Sequence, residues 1–104
     1  MDNFKIIYKI LKALEVALDY DEFDMESISP EVLKISKARW ESIMQMLLEK
    51  HYVQGGKVTK LMGGGSYINW FEPKITLDGL EFLESNSTIK KASNLAKGII
   101  DVIT

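Results

Sequence analysis

The residues with the clearest chemical potential in this 104-residue chain are basic side chains between positions 31 and 60. That stretch holds six Lys or Arg residues against three acids, although the whole chain has a formal net charge of −2. Lys and Arg donate hydrogen bonds to phosphate oxygens, and such contacts supply most of the non-specific affinity of proteins for duplex DNA. A local positive excess in an acidic chain therefore indicates a surface for an anionic partner, with double-stranded DNA as the leading candidate.

Seven residues of this stretch are candidate DNA contacts. Lys37 and Arg39 fall in the first turn of a predicted helix, within reach of phosphates. Ser42 and Gln45 lie on the face left free once that helix has buried its apolar side, and both side chains can hydrogen-bond base edges. Glu41 shares this outward face and would repel the DNA backbone, so a solvated helix face is the alternative interpretation. The candidate set is Lys34, Lys37, Arg39, Ser42, Gln45, Lys57 and Lys60.

Other chemistries find little support in the sequence. The absence of Cys excludes disulfides, thiolate zinc sites and a Cys nucleophile, and a single His excludes His-rich metal sites. The acidic run from Asp19 to Glu26 lacks the glycine of a calcium loop, and the glycines from Gly63 to Gly65 lack the Lys of a phosphate loop. No nucleophile–base pair is visible. We therefore expect neither an enzyme, nor a metal site, nor a cofactor.

The elements that must position the candidate residues follow from periodicity and turn signals. Ser29-Pro30 and Ser36 are typical helix starts, and two β-prone runs flank a Gly-rich turn before Pro73, which we expect to end the hairpin. The predicted elements are a helix over 4–18, a short helix over 30–35, a helix over 37–50, strands near 57–61 and 67–71, a helix through 80–83 and a last helix from 88.

This order predicts a mainly α protein with a small β-hairpin, in the α+β class. A short helix, a second helix and a hairpin in succession are typical of a winged helix-turn-helix, here with an added C-terminal helix. We expect residues 1–87 to form the winged-helix domain and residues 88–104 to form a helix that packs on it or on a partner. The competing interpretations are a different small α+β domain and a helical module that merely carries a hairpin.

Several segments of the chain together form a recognisable pattern. They are 3–8, 28–31, 39–40, 48–52, the Ile-Thr-Leu-x-Gly-Leu-Glu-x-Leu motif from Ile75, and 90–98. These segments resemble the YjcQ-like family of bacterial and phage winged-helix proteins. The resemblance covers nearly the whole chain and implies a winged-helix fold and a DNA-binding role, without assigning an activity to any residue. The chain departs from the family pattern at His51, where such proteins often have a helix-ending Gly, and at the glycines of the hairpin tip.

The first helix has more apolar surface than one core requires. Ile6 and Ile10 belong to a second apolar stripe beside the main one, and together the stripes span an arc of about 220° against the usual 100° or a little more. We expect the C-terminal helix to cover the second stripe through Leu95 and Ile99. The contact would form within one chain, as a monomer, or between two chains, as a homodimer.

The functional expectation is a regulatory DNA-binding protein. The alternative is a protein-interaction module of bacterial or phage origin with no nucleic-acid role, since winged helices also bind proteins. No apolar run approaches the roughly 20 residues of a membrane span, and the N-terminus lacks a signal-peptide pattern. We therefore expect no membrane association and a cytoplasmic location.

Overall fold

The computed structural model describes residues 2–86. This part of the chain has the order of a winged helix, in which a helix-turn-helix precedes a two-stranded wing, and it confirms the predicted α+β class. The predicted C-terminal helix over 88–104 lies outside the described residues. The elements are α1 (Asn3–Val16), two 3-10 turns (Ala17–Asp19 and Met25–Ile28), α2 (Pro30–Leu33), α3 (Lys37–Glu49), β1 (Val53–Lys60), β2 (Ser66–Ile75) and α4 (Leu77–Ser85).

Short polar side chains start the helices where the sequence indicates. The Ser29 hydroxyl accepts a hydrogen bond from the Val32 amide at 3.2 Å, and Pro30 occupies the first turn of α2. The Ser36 hydroxyl accepts from the Arg39 amide at 3.1 Å and thereby sets the first residue of α3. Each cap satisfies an amide that has no partner inside its helix, a contribution of about 1 kcal/mol.

The core is one cluster that takes side chains from all four helices and both strands. α1 packs against α4, against β2 and against the second 3-10 turn, so it is enclosed from several directions. This arrangement explains why one helix needs two apolar stripes. The buried cluster consists of Ile6, Ile10, Leu11, Leu14, Ile28, Leu33, Ile43, Met44, Leu47, Val53, Ile75 and Leu83.

Ile6 and Ile10, which were expected to meet the C-terminal helix of the same chain or of a second chain, are already buried. Both side chains are 0% exposed within a single chain, and both belong to the core cluster. They therefore offer no surface to a second chain. Leu95 and Ile99, which formed the other half of the predicted contact, lie outside the described residues.

The two ends of the first helix are more exposed than its apolar pattern indicates. Phe4 is 59% exposed and Leu18 is 52% exposed, although both continue the main stripe. α1 ends at Val16, and the following 3-10 turn rotates Leu18 out of register with the helix. The end of the helix explains the exposure of Leu18, whereas Phe4 lies in the first turn of α1.

The hairpin is longer than predicted and contains an irregularity. β2 runs through Pro73 to Ile75, so the prediction that Pro73 ends the hairpin is wrong. Gln54 pairs with Lys74 and Gly56 pairs with Trp70, which leaves Gly55 opposite three residues of β2. Gly55 has φ +90°, and a Cβ there would overlap the Glu72 carbonyl. The missing amide of Pro73 is tolerated because regular pairing is interrupted at this point.

The end of α3 explains the unusual residue at position 51. His51 has φ 61°, the left-handed conformation that normally favours Gly. The Tyr52 amide donates to the Leu47 carbonyl at 3.0 Å and the His51 amide donates to Leu48 at 3.1 Å, the two bonds of a Schellman ending. A family pattern that often has Gly here therefore has a backbone reason.

We expect His51→Gly to stabilise the protein by about 0.5–1 kcal/mol. A left-handed non-Gly residue costs about 1–2 kcal/mol, and the added freedom of Gly in the unfolded chain offsets part of the gain. The His51 side chain is exposed, so little packing is lost. The free energy of unfolding in urea measures the effect. Lys50→Gly is the matched control. Lys50 has φ −82°, so Gly at this position should lower the stability of the protein. Equal changes in the free energy of unfolding for the two variants would contradict the explanation.

Candidate nucleic-acid interface

α3 buries one side and presents the other to solvent. Ile43, Met44 and Leu47 are buried, and Trp40 is half-buried, as the predicted stripe requires. The Trp40 Nε1 donates to the Ile28 carbonyl at 2.7 Å and so ties α3 to the turn that precedes α2. This bond holds α3 against the segment from which α2 begins.

A second set of contacts holds the far end of α3. The Thr76 hydroxyl donates to the His51 carbonyl and accepts from the Gly79 amide at 3.1 Å, so one side chain joins the end of α3 to the start of α4. The Thr76 amide also donates to the Tyr52 carbonyl at 3.1 Å. The Ile-Thr-Leu-x-Gly motif therefore acts as a clamp that orients α3.

Two of the candidate lysines lie at the amino-terminal end of α3. Lys34 occupies the turn between α2 and α3 with φ 59°, and Lys37 is the first residue of α3. Both side chains are exposed. The amino end of a helix bears a partial positive charge, so these lysines add to a field that already favours anions.

Arg39 is held by a protein contact. Its Nε donates to the Asn3 Oδ1 at 2.9 Å, and its Nη2 donates to the same oxygen. The side chain is half-buried. Its hydrogen bonds connect the first turn of α3 to the start of α1. Sequence reasoning could not find this contact, because the two residues are 36 positions apart and neither type is specific for the other.

Gln45 is likewise engaged inside the chain. Its Oε1 accepts a hydrogen bond from the Ser66 hydroxyl at 3.2 Å, so it links α3 to the start of β2. Ser42, in contrast, is exposed and has no partner among residues 2–86. Of the two predicted base readers, Ser42 faces solvent and Gln45 positions the wing.

The two wing lysines lie on opposite faces of the hairpin. Residues directly opposite in an antiparallel pair share a face, and successive residues alternate between faces. Lys60 pairs with Ser66, whose hydroxyl contacts Gln45, so Lys60 belongs to the face that meets α3. Lys57 pairs with Asn69 on the other face. The structure thus brings Lys60 close to α3 and places Lys57 away from it.

The wing aromatics divide in the same way. Trp70 packs over Gly56, where a Cβ would lie 2.7 Å from the indole ring, whereas Tyr67 and Phe71 are 42% and 72% exposed. Tyr67 and Phe71 therefore form an exposed aromatic face on the wing.

Within residues 2–86, no group of three or more His, Asp or Glu side chains is arranged to hold a metal ion. In the same part of the chain, no helix combines the length and the apolar composition needed to cross a bilayer.

Comparison with known proteins yields a family. No curated protein and no solved structure matches this chain. The family model described as "YjcQ protein" matches residues 8–102, which is nearly the whole chain and includes α2, α3, the wing and α4. With its helix-turn-helix, its wing and this match, the chain belongs to the YjcQ family.

Proposed function

We propose that this chain is a regulatory DNA-binding protein that contacts duplex DNA through the first turn of α3 and the wing. The observation that carries the proposal is a set of exposed lysines with uncommitted charge. None of the four forms an ion pair or a side-chain hydrogen bond with the described part of the chain. These residues are Lys34, Lys37, Lys57 and Lys60.

The arrangement suits a phosphate backbone that follows the amino end of α3. Lys34 and Lys37 flank this helix end, and Lys60 approaches α3 from the wing. A recognition helix enters the major groove with its amino-terminal residues near the bases, while flanking residues contact phosphates. The two ammonium groups at this helix end, with Lys60 on the wing face that meets the second half of α3, suit that division of roles.

Base reading would fall to the exposed side chains of the first two turns. Ala38 and Ser42 are exposed there; a methyl group can contact thymine, and a hydroxyl can bond several base edges. Glu49 lies at the opposite end of α3, about 18 Å along the axis from Lys37 at 1.5 Å per residue. Its charge therefore lies far from the proposed phosphate contacts at the amino end of α3.

We expect the double change Lys34→Ala with Lys37→Ala to weaken binding to random duplex DNA. Each lost phosphate contact lowers the slope of log K against log salt by about 0.9, so two contacts predict a decrease of about 1.8. The measurement is fluorescence anisotropy of a labelled duplex across a salt series. Ser42→Ala should leave this slope unchanged and alter the preference among DNA sequences.

A matched control removes the same charge elsewhere. Lys12 and Lys74 are exposed, and each pairs with a neighbouring carboxylate, Glu15 at 2.6 Å and Glu72 at 3.4 Å. Lys12→Ala with Lys74→Ala should therefore reduce affinity slightly through net charge and leave the slope intact. An equal slope for the two double variants would show that the amino-terminal end of α3 does not contact phosphate.

One observation favours the alternative of a protein-interaction module. Met46 is 49% exposed on α3, and at the tip of the wing Leu61 is 52% exposed and Met62 is fully exposed. Apolar side chains in such positions are typical of protein contacts. Absence of DNA binding even at low salt would favour this function, and Met46→Ser with Met62→Ser should then abolish partner capture.

A further inference from the structure

A groove lies between the end of α1 and the second half of β2, away from the amino-terminal end of α3. Its volume is about 350 Å³. Seven of its eleven lining residues are apolar or aromatic, and the lining comes from two regions that are more than 45 positions apart in sequence. The apolar lining includes Leu14, Ala17, Leu18, Tyr20, Phe23 and Phe71.

Several large apolar side chains of the groove are exposed. Leu14 forms a buried floor, while Leu18, Tyr20 and Phe71 are 52%, 71% and 72% exposed. Soluble chains rarely leave several large apolar side chains together in water, since each would gain from being covered. The three side chains therefore indicate an occupant with its own apolar face.

The rim of the groove is acidic. Asp21, Glu22 and Glu72 line it, and the one cation among its lining residues is Lys74, whose charge is already paired with Glu72 at 3.4 Å. A negative rim around an apolar floor selects an occupant that carries apolar and basic side chains side by side.

We propose that this groove binds residues 88–104 of the same chain. That segment has three Lys and one Asp, so its net charge is opposite to that of the rim. Its sequence predicts an amphipathic helix with Ile89, Leu95 and Ile99 on one side. The inference does not depend on DNA binding.

The length of the chain allows this contact. α4 begins three residues after Lys74, which lines the groove, and its nine residues span about 13 Å. A helix over the 17 residues of 88–104 would span about 25 Å. After a reversal at Asn86 and Ser87, it is long enough to return along α4 and reach the groove.

The contact also accounts for the small residue at the end of α1. Ala17 belongs to the second stripe of the first helix, and it lines the groove. Because Ile6 and Ile10 are already covered, the surface that remains for the C-terminal segment begins near Ala17. A short side chain at this position permits close approach of a second helix.

The test measures a distance in the full-length chain, which contains no native Cys. Spin labels are attached to Glu22→Cys on the rim and to Ser93→Cys, which lies at the edge of the predicted apolar side. A short, narrow distance distribution is expected. A broad distribution would overturn the proposal, as would a short distance that disappears on dilution with excess unlabelled chain, because the occupant would then be a second copy.

Charge reversal adds a second readout and a rescue. Asp21→Lys with Glu72→Lys should broaden the distribution, and the further change Lys91→Glu, beside the predicted apolar side, should restore it. Glu31→Lys with Glu49→Lys, on exposed positions of α2 and α3, is the matched control and should have no effect. A distribution that is narrow in every variant would overturn the electrostatic basis for the choice of occupant.

Discussion

Gly79→Ala is expected to destabilise the protein by about 3 kcal/mol, in the upper range for overpacking of a core. A Cβ at position 79 would overlap the Tyr52 carbonyl and would lie 2.6 Å from the Ile75 Cγ1. The Tyr52 carbonyl cannot easily retreat, because it accepts a hydrogen bond from the Thr76 amide at 3.1 Å. α4 must therefore move away from the end of α3, or the clamp between them must break.

The sign of the change in the free energy of unfolding shows whether the close approach to Tyr52 or helix propensity dominates at position 79. Gly79 lies inside α4, where helix propensity alone favours Ala by about 1 kcal/mol. A gain in the free energy of unfolding would show that the close approach to Tyr52 is absent. Gly63→Ala is the control, because a Cβ there meets nothing within 4 Å and the backbone is not left-handed. Urea titrations of both variants and the parent chain provide the comparison.

Trp40→Ala is expected to cost about 3–4 kcal/mol, within the range for truncating a large aromatic side chain of the core. Two losses add. The side chain packs against the core cluster, and its Nε1 is the donor for the Ile28 carbonyl at 2.7 Å. Because Trp40 is half-buried, the loss should fall in the lower part of the usual range for Trp.

Two variants distinguish packing from the hydrogen bond at position 40. Trp40→Phe keeps most of the apolar contact and removes the donor, so a loss of about 1–2 kcal/mol is expected. Tyr67→Ala removes an exposed aromatic side chain from the wing and should cost less than about 1 kcal/mol. Similar denaturant midpoints for Trp40→Ala and Tyr67→Ala would contradict the assignment of Trp40 to the core.

Most of the local structure could be predicted from the sequence because its causes are local. Ser29, Pro30 and Ser36 mark helix starts by accepting or replacing amides within the next turn. The stripe of Ile43, Met44 and Leu47 follows from helical geometry, and the order of elements gives the winged-helix class. Position 51 also indicates the end of a helix, because the resembling proteins often have a helix-ending Gly there.

The wing was predicted less well, and the reason is also physical. The sequence signals for Gly55 and Pro73 are those of breaks, and residues of these types usually interrupt pairing. In the fold, Gly55 and Pro73 lie in the same irregular part of the hairpin, and regular strand pairing continues on either side of it. Only the register of the two strands shows that two apparent breaks are a single bulge.

What the sequence by itself determined is the set of elements and the exposed lysines near α3, since periodicity, caps and charge act over a few residues. The tertiary structure decided which candidates are available. It assigns Arg39 to Asn3, Gln45 to Ser66, and Ile6 to the core of one chain. The two hydrogen bonds join positions 20 or more apart. Asn, Gln, Ser and Arg side chains can pair with many partners, so the path of the backbone decides which partner each one meets.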